Sequence, residues 1–355
     1  MKTLYIGVMT GNSMDAADAV LMSFADNKEN TATVENAASV PIDAPLADTL
    51  RHLAQSASIE TTTVLAAQNA LTDTCAAAVK KLNAPAATVR AIGCHGQTIA
   101  HRPATAATWQ LFNGARMAEQ TQIDVVCDFR SRDIASGGQG APFAPFFHQY
   151  FFAAHAPCDI INIGGIANIT HIDSTGAIAA GYDTGPGMLL LDAWYRQQGN
   201  NGFDKNGAFA ASGNVDAPLL QQLLTLPYFS RPHPKSCGRE EFSLAQLPAS
   251  IHNLAAADVQ ATLLALCTHS IAAAVRAEHV FLCGGGSRNT ALVAQLQNLL
   301  AITPRLTDTL GIAVEQIEAA AFAYLAKCHI ERTPLAAANI TGGQTRIAGA
   351  CYPYQ

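Results

Sequence analysis

The amino-acid sequence predicts an α/β protein of two lobes, each a mixed β-sheet flanked by helices, with a central cleft. The chain has 355 residues, which is enough for two domains of ordinary size. Hydrophobic residues make up 49% of it and charged residues only 14%, so a large buried core is expected. Three closely spaced strands followed by helix, strand and helix occur twice, and this repeated order indicates two similar lobes. No repeat is visible in the residues themselves.

The N-terminal elements are predicted from apolar alternation, from helical spacing and from short apolar runs. In chain order they are strands Leu4–Met9, Ala19–Phe24 and Thr33–Val40, helices Ala44–Ala57 and Thr62–Leu82, and strands Val89–Cys94 and Ile123–Asp128. The first two strands form a hairpin across a polar glycine turn, and Pro45 is acceptable in the first turn of its helix.

The same order then begins again, with tight glycine turns between the strands. The predicted elements are strands Cys158–Ile163, Asn168–Asp173 and Ile178–Tyr182, helices Met188–Gln198, Ala217–Thr225 and Ala257–Glu278, strand Val280–Cys283, and helices Asn289–Leu300 and Val314–Cys328. Two polar segments, 200–213 and 230–242, are predicted to be loops over the cleft.

These elements place the N-terminal lobe at 1–135 and the C-terminal lobe at 136–340, with the tail 341–355 as a candidate addition to the first lobe. The segment Arg132–Gly140 lies at this boundary and contains three glycines that can absorb a change of backbone dihedrals. We therefore expect a hinge there.

Composition excludes several classes of protein. The net charge is −6 and there is no basic run, which argues against a nucleic-acid partner. No apolar stretch has the roughly 18 residues of a membrane helix, and Met1-Lys2-Thr3 leads directly into a strand, so neither a membrane anchor nor a signal peptide is expected. Nine cysteines without a Cys-x-x-Cys pair indicate reduced, buried thiols in a cytoplasmic protein. Whether the chain forms a homodimer is left open.

Polar glycine segments follow several of the predicted strands. The most informative is Asp183-Thr184-Gly185-Pro186-Gly187, because an Asp where a strand meets a glycine turn is fixed by the backbone. An Asx turn is the alternative reading of Asp183. Similar segments are Thr10–Asp15, His95–Thr98, Asp128–Arg130 with 137–142, Asn162–Asn168 and Gly284–Asn289. Because such turns point backbone N–H groups at phosphate oxygens, together they predict a polyanionic ligand such as ATP.

Taken in order, these segments resemble the anhydro-N-acetylmuramic acid kinase family. Further matching segments are Gly7–Met9, Asp133, Pro234–Glu240 and Glu318–Ala323, so the resemblance runs nearly end to end. The family belongs to the sugar kinase, heat-shock chaperone and actin superfamily, which implies two actin-like (ribonuclease H-like) lobes. The chain departs from the family at Asn12, Ala16 and Met188, where Thr, Gly and Asn are usual.

The resemblance implies an ATP-dependent kinase of cell-wall (peptidoglycan) recycling. The substrate would be 1,6-anhydro-N-acetylmuramic acid, whose O6 bridges to C1, so phosphorylation requires the ring to open. Water would attack C1 while O6 takes the γ-phosphoryl group, giving N-acetylmuramic acid 6-phosphate and ADP. One carboxylate base can suffice if the phosphoryl group, as the electrophile, takes the leaving O6 in place of a proton. The resemblance implies Asp183 as that base.

The resemblance also implies the remaining site residues. ATP would be held by Gly11, Asn12, Ser13, Met14, Asp15, Ala16, Ala17, Asp18, Gly164, Gly165, Gly284, Gly285, Gly286 and Asn289. The sugar would be held by Gln97, Thr98, Arg130 and Glu318. Mg²⁺ keeps several waters and needs few protein ligands, and Asp15 is its candidate ligand, with Asp183 as the alternative.

Three alternatives stay open from the sequence. Arg130 either neutralises the lactyl carboxylate or the transferring phosphoryl group, or it forms a surface ion pair with Asp128 or Asp133. Lys235, Arg239 and Glu240 either close over the site or form a solvated charged turn. The protein itself could instead phosphorylate another small molecule, or it could be a non-catalytic scaffold switched by ATP.

Overall fold

The computed structural model describes residues 3–11, 13–25, 31–56, 58–233, 235–237 and 241–354. The strands within these ranges are β1 Thr3–Thr10, β2 Ala16–Ala25, β3 Thr31–Pro41, β4 Val89–Cys94, β5 Gln97–Arg102, β6 Ala107–Leu111, β7 Val125–Cys127, β8 Cys158–Ile163, β9 Ile166–Ile172, β10 Ile178–Pro186, β11 His279–Cys283, β12 Arg305–Leu306 and β13 Ala350–Tyr352. The helices are α1 Ala44–Gln55, α2 Thr61–Lys81, α3 Gly114–Thr121, α4 Phe129–Ile134, α5 Ala144–Phe152, α6 Leu189–Gln197, α7 Ala208–Ala211, α8 Ala217–Leu224, α9 Ala256–Ala272, α10 Thr290–Leu300 and α11 Ile317–Ile330.

The chain divides into two compact units. Unit 1 comprises Met1–Phe151 and Gln316–Gln355, and unit 2 comprises Phe152–Glu315. This division differs from the lobes expected from the sequence, because α5 up to Phe151 and the whole of α11 belong with unit 1 rather than with the second lobe. The C-terminal addition to the first unit therefore begins well before the tail 341–355.

Unit 1 contains a mixed sheet in the order β13-β7-β4-β1-β2-β3. The pairs β1–β2 and β2–β3 are antiparallel, whereas β4 is parallel to both β1 and β7. Strands β5 and β6 form a separate antiparallel hairpin. The core lies between the sheet and helices α1, α2 and α3, and it includes Ile6, Leu50, Leu71 and Ile92.

Unit 2 contains a sheet in the order β10-β9-β8-β11-β12. As in unit 1, a three-strand antiparallel meander is extended from its first strand by parallel strands. The core packs α6, α8 and α9 against the meander, through residues such as Ile161, Ile169, Trp194 and Leu263. Both the predicted α/β fold class and the repeated order of elements are thereby confirmed.

Helix α11 packs very closely on the middle of the unit 1 sheet. Gly7 and Gly93 are register partners on the neighbouring strands β1 and β4. A Cβ atom on Gly7 would lie 1.7 Å from the carbonyl oxygen of Ala319, and one on Gly93 would lie 2.0 Å from that of Phe322. Since no side chain fits at these distances, the glycine pair is what allows α11 to lie on the sheet.

A buried carboxylate organises the segment that was expected to be a hinge. Asp133 accepts hydrogen bonds from the Thr341 hydroxyl, at 2.8 Å, and from the Gly140 N–H, at 2.7 Å. A Cβ atom on Gly138 would lie 2.2 Å from this carboxylate. The segment Arg132–Gly140 thus lies inside unit 1, tied to its C-terminal part, and the predicted hinge position is wrong. Within 137–142, Gly138 is required by this packing and Gly137 and Gly140 have a positive φ, whereas the expected phosphate contact of the segment stays a prediction.

Several elements were missed or misplaced from the sequence. The β5–β6 hairpin, α3, α4, α5, β12 and β13 were not predicted, and the expected loop 200–213 contains the short helix α7. Helix α9 ends at Ala272 instead of Glu278 because the Asp159 carboxylate accepts the N–H groups of Arg276 and Ala277 and draws that backbone away from helical bonding. Among the described residues, no helix is both long and apolar enough to cross a membrane.

The glycine pair gives a test of the fold. Gly7→Ala should lower the free energy of unfolding by about 3 kcal/mol or more, since either α11 or β1 must shift. Gly285→Ala is the control, because a Cβ atom there meets nothing within 4 Å, and it should change stability by less than about 1 kcal/mol. Urea unfolding measures both. Equal stabilities of the two variants would show that the close packing of α11 is not a constraint.

Candidate active site

A row of polar side chains crosses one end of the unit 2 sheet. Asp183 on β10 is the register partner of Asn168 on β9, which in turn is the partner of Asn162 on β8. Directly opposed residues of an antiparallel pair share a face of the sheet, so the three side chains lie side by side. The Asn168 Oδ1 atom is buried without a hydrogen-bond partner among the described residues, which suits a site that receives a polar ligand.

Asp183 is half-buried inside β10 and is held by a segment far along the chain. Its N–H donates to the carbonyl oxygen of Lys235 at 3.0 Å, and its own carbonyl oxygen accepts from the Tyr228 hydroxyl at 2.6 Å. The carboxylate atom Oδ2 accepts from the N–H of Cys237, 54 positions later, at 2.9 Å. Asp183 therefore does not begin a turn, and its carboxylate is oriented by tertiary structure.

The glycines around Asp183 bring other chain segments close. A Cβ atom on Gly187 would lie 2.3 Å from the carbonyl oxygen of Gly164. The carbonyl oxygens of Gly164 and Gly165 accept hydrogen bonds from the N–H groups of Gly187, Met188 and Leu189 at the start of α6. The β8–β9 turn, with its two candidate ATP-binding glycines, is thereby joined to the end of β10.

Met188, where the resembled family has Asn, packs its side chain partly buried against the unit 2 core. Its N–H still donates to Gly164 at 2.8 Å. The departure from the family therefore exchanges a polar side chain for a packing contact and keeps the backbone arrangement of the turn.

The segment Gly284–Asn289 forms a short turn between β11 and α10. Gly284 has φ +79°, and Cβ atoms on Gly284 and Gly286 would lie 2.3 Å from Asn162 Oδ1 and 2.4 Å from Ile163. These two glycines are therefore required by packing on the end of β8. Gly285 is exposed and faces open space, so it is the position of this turn that a nucleotide could approach. Asn289 caps α10, its Oδ1 accepting from Leu292 N–H, as the predicted helix start required.

The predicted phosphate turn of unit 1 is the tip of the β1–β2 hairpin. Met14, with φ 55°, donates its N–H to Gly11 and buries its side chain in the unit 1 core, so that side chain is an anchor rather than a ligand. Ala16, Ala17 and Asp18 lie in β2, where Ala17 and Asp18 have register partners on both β1 and β3, and Ala16 has one on β3.

The exposed part of this tip is short. Ser13 donates its hydroxyl to Asp15 Oδ1 at 2.5 Å, and both residues are exposed. Of the candidate contacts in this turn, Ser13 and Asp15 are the exposed ones, and the nucleotide contacts expected of the other residues stay a prediction. Asn12 lies outside the described residues.

Two of the expected sugar-binding residues lie on the β5–β6 hairpin rather than in a turn. Gln97 is buried, and its Oε1 atom has no hydrogen-bond partner among the described residues. The same holds for Oε1 of Gln110, whose amide donates to the Thr98 hydroxyl at 3.3 Å, and for Nε2 of His101. Buried polar atoms of this kind fit a hydroxyl-rich ligand.

Arg130 is held by a buried histidine. His95 places Nδ1 at 2.6 Å from the carbonyl oxygen of Gly96, which can only accept, so Nδ1 carries the proton. Its Nε2 accepts from Arg130 Nε at 3.0 Å. Burial and the adjacent guanidinium lower the pKa of His95 to about 3, so the ring stays neutral. This contact fixes the plane of the guanidinium, whereas Asp133, one of the alternative ion-pair partners, is engaged with Thr341 and Gly140.

Glu318 lies half-buried in the first turn of α11. One turn later, the Phe322 ring lies 5.0 Å from the His95 ring. Through Phe322 and His95, α11 is thus linked to Arg130. The Thr10 hydroxyl, at the end of β1, donates to the carbonyl oxygen of Gly96 at 3.1 Å.

Sequence reasoning missed three residues that support the site. Tyr228 and the Cys237 N–H contact Asp183 only through tertiary structure, and no local sequence motif predicts a role for Tyr228. His95 belongs to a segment that the sequence singled out, but its link to Arg130 was not foreseen. Lys235 was expected to close over the site or to be solvated. Instead its ammonium donates to the carbonyls of Tyr228 and Phe229. Arg239 and Glu240 lie outside the described residues.

The family model for anhydro-N-acetylmuramic acid kinase matches residues 3–354. The chain belongs to the anhydro-N-acetylmuramic acid kinase family. It is 42% identical to the anhydro-N-acetylmuramic acid kinase of Paraburkholderia xenovorans over 370 residues, covering 99% of this chain and 98% of that one. It is 43% identical to the enzyme of Nitrosomonas europaea over 365 residues, covering 98% and 99%. The predicted family and the predicted enzyme class, a sugar kinase, are thus confirmed.

Two of the solved structures that the chain matches have low sequence identity to it. Component A of (R)-2-hydroxyglutaryl-CoA dehydratase from Acidaminococcus fermentans has a TM-score of 0.49 and 10% identity, covering 90% of this chain and 96% of that one. A ROK family glucokinase from Streptomyces griseus has a TM-score of 0.43 and 13% identity, covering 91% and 99%.

The neutral His95 predicts a specific loss of stability in acid. Its folded pKa of about 3 lies below the unfolded value near 6.5, so between these pH values only the unfolded chain gains the proton. Stability should therefore be lost as the pH falls from 6.5 towards 3, by up to about 1.4 kcal/mol per pH unit from this group. His95→Gln keeps an acceptor but does not titrate, so its unfolding free energy should fall less steeply than that of the wild type. Parallel curves from chemical denaturation at pH 4.5–7 would contradict a neutral buried His95.

Proposed function

We propose that this kinase opens the 1,6-anhydro ring of 1,6-anhydro-N-acetylmuramic acid with water and phosphorylates O6, with Asp183 as the base. The observation that carries the proposal is the Asp183 carboxylate, held at the end of β10 by the Cys237 N–H beside two glycine turns. A bond forms between the water oxygen and C1 while the C1–O6 bond breaks. O6 then forms a bond to the γ-phosphorus of ATP, ADP leaves, and the water proton passes to Asp183.

The geometry at Asp183 suits a base. A hydrogen bond from a backbone N–H favours the ionised carboxylate, which is the form that can accept a proton. Because Cys237 holds Oδ2 at 2.9 Å, the plane of the carboxylate is fixed and Oδ1 is given a defined direction. A positioned base of this kind contributes about 10²–10⁴-fold to a rate.

ATP is proposed as the phosphoryl donor, and the hairpin tip of Gly11, Ser13 and Asp15 is proposed to contact its phosphates. The exposed Asp15 carboxylate, which accepts from Ser13, fits an ion that keeps most of its waters. Bound Mg²⁺ would neutralise the charge on the transferring phosphoryl group. The buried Met14 side chain holds the tip to the unit 1 core, so the tip is a preorganised platform.

The sugar is proposed to contact the polar atoms of the β5–β6 hairpin and Arg130. The lactyl carboxylate is an anion that a guanidinium can bind with two parallel hydrogen bonds. Because Nε of Arg130 donates to His95, the two terminal nitrogens of the guanidinium have a defined orientation for such a contact. Gln97, Thr98 and Glu318 are proposed to bind hydroxyl or amide groups of the sugar.

The cellular setting is proposed from chemistry and composition. A small sugar acid and ATP are the proposed partners, without nucleic acid or membrane, and the proposed compartment is the cytoplasm. Nine cysteines without a disulfide, seven of them buried, are compatible with a reducing compartment. A homodimer stays a proposal that measurement of the molecular mass in solution would decide.

Isotope labelling tests the coupled reaction. In ¹⁸O-labelled water, the label should enter the C1 hydroxyl of the product and not the phosphate, because water attacks carbon and O6 attacks phosphorus. Mass spectrometry of rapidly quenched product measures this, with unlabelled product incubated in the same water as the control for exchange at C1. Label in the phosphate would mean plain ATP hydrolysis. Faster turnover of unbridged N-acetylmuramic acid would indicate an ordinary sugar kinase instead.

Asp183→Asn tests the base. The amide has the shape of the carboxylate and can still accept from Cys237, but it cannot take a proton, so turnover should fall by at least about a hundredfold. Affinity for ATP, measured by calorimetry, should change little. Near-wild-type turnover would refute the assignment and move the role to another carboxylate, for which Glu318→Gln is the comparison variant.

A further inference from the structure

The edge position of β10 leaves Asp183 dependent on another part of the chain. Within the described sheet of unit 2, β10 pairs only with β9. In an antiparallel pair the N–H and C=O of one residue point to the same side, and those of Asp183 point away from β9 to Lys235 and Tyr228. A break in register between Asp183 and Gly185 marks the same point. The strand alone therefore does not fix this residue.

One segment makes both of these backbone contacts of Asp183 and also the contact to its carboxylate. Residues 228–233 and 235–237, here named the clamp, supply the Tyr228 hydroxyl, the Lys235 carbonyl and the Cys237 N–H. These partners bind the backbone of Asp183 on its N–H and its C=O and also bind its carboxylate. A single segment thus sets both the position of the residue and the direction of its side chain.

We propose that the clamp is the positioning device for the base Asp183, with Tyr228 as its principal positioning residue. This inference rests on the proposed function of Asp183 as the base. Base catalysis needs the carboxylate oxygen at hydrogen-bond distance from the attacking water, and a displacement of about 1 Å can cost a hundredfold in rate. The clamp is what prevents that displacement.

Tyr228 is itself rigidly held. Its ring is 2% exposed, with the Lys235 ammonium 4.6 Å from its centre and the Arg231 guanidinium at 5.3 Å. Phe242 packs edge-on against it, and Arg231 forms a bidentate ion pair with Glu241. Burial raises the pKa of Tyr228, so its hydroxyl keeps its proton and serves as the donor to Asp183.

Lys235 closes the clamp on itself. Its ammonium donates to the carbonyl oxygens of Tyr228, at 3.2 Å, and Phe229, at 3.3 Å, which joins the two ends of the segment. Burial lowers the pKa of Lys235, as expected of an ammonium that has exchanged water for backbone carbonyls. The charged ammonium therefore stabilises the conformation of the clamp through these two hydrogen bonds.

A second attachment lies one residue before Asp183. The His233 ring of the clamp stacks on Tyr182, with centres 5.0 Å apart and planes 9° from parallel. The Tyr182 hydroxyl lies 3.3 Å from Nε2 of His171, whose Nδ1 is 2.6 Å from the buried Asp159 carboxylate. The clamp is thus joined to the core of unit 2 on the other side of the strand.

Tyr228→Phe tests the proposal, because it removes only the hydroxyl that holds the Asp183 carbonyl. The value of kcat should fall roughly tenfold to a hundredfold, with the KM for ATP unchanged. Without the Tyr228 hydroxyl, Asp183 should be held less firmly and its carboxylate contact to the Cys237 N–H should loosen. That loss disfavours the ionised carboxylate, so the acidic limb of the kcat profile against pH should move to higher pH. Tyr195→Phe is the matched control, since it removes a tyrosine hydroxyl on α6 outside the clamp, and it should leave both values unchanged.

Lys235→Met is the second variant, and it keeps the aliphatic stem and the backbone carbonyl that binds Asp183. It should shift kcat and the acidic limb in the same direction as Tyr228→Phe, by a smaller factor, with a folded near-ultraviolet circular dichroism spectrum. Wild-type kcat and an unmoved acidic limb in Tyr228→Phe or Lys235→Met, while Asp183→Asn is inactive, would overturn the clamp and leave the base standing. An active Asp183→Asn would overturn the base and the clamp together.

Discussion

The contact between α11 and the glycine pair of β1 and β4 is the constraint on which unit 1 depends. Gly7 and Gly93 lie side by side, and the helix backbone occupies the space where their side chains would be. This brings residues from the far end of the sequence back onto the first sheet, which makes unit 1 discontinuous. The same helix places Phe322 against His95, and His95 holds Arg130. The packing of unit 1 and the position of Arg130, a candidate substrate contact, therefore both depend on the two glycines Gly7 and Gly93.

In unit 2 the corresponding constraint is that the candidate base, Asp183, lies on an edge strand, β10. Outward-facing peptide groups on an edge strand need partners, and many proteins cover them only to prevent association. Here the covering segment also orients the carboxylate, through the Cys237 N–H. The pKa of the Cys237 thiol is raised by burial and by the Asp183 carboxylate, so the thiol stays neutral and adds no second charge beside the candidate base. The segment that covers the exposed edge of β10 therefore also orients the candidate base.

Much of the fold was predictable because its signals are local. The meanders β1–β3 and β8–β10 carry apolar alternation and glycine turns, and the start of α10 carries an Asn cap. The β5–β6 hairpin escaped prediction because Gln97–Arg102 contains Gln, His and Arg, whose partners lie on the opposite strand. The assignment of α11 to unit 1 also escaped, since its cause is a contact between Gly7 and Ala319 that no local window contains. The site followed the same rule: the strand-end Asp183 was found, whereas Tyr228 and His95 act through tertiary contacts.

The residues beside Asp183 bear on how one carboxylate can serve an inverting sugar cleavage. Inverting glycosidases use two carboxyl groups, one to activate water and one to protonate the leaving oxygen. Along the row that contains Asp183, however, the neighbouring side chains are the amides of Asn168 and Asn162. An amide donates and accepts hydrogen bonds but supplies no proton at neutral pH, so this row offers a candidate base without a partner acid. A leaving O6 that is captured by phosphorus needs no such acid. The amide neighbours also spare the base a second negative charge, which would raise the pKa of a carboxylate and keep it protonated. The composition of the row thus fits a reaction in which the phosphoryl group takes the place of the proton.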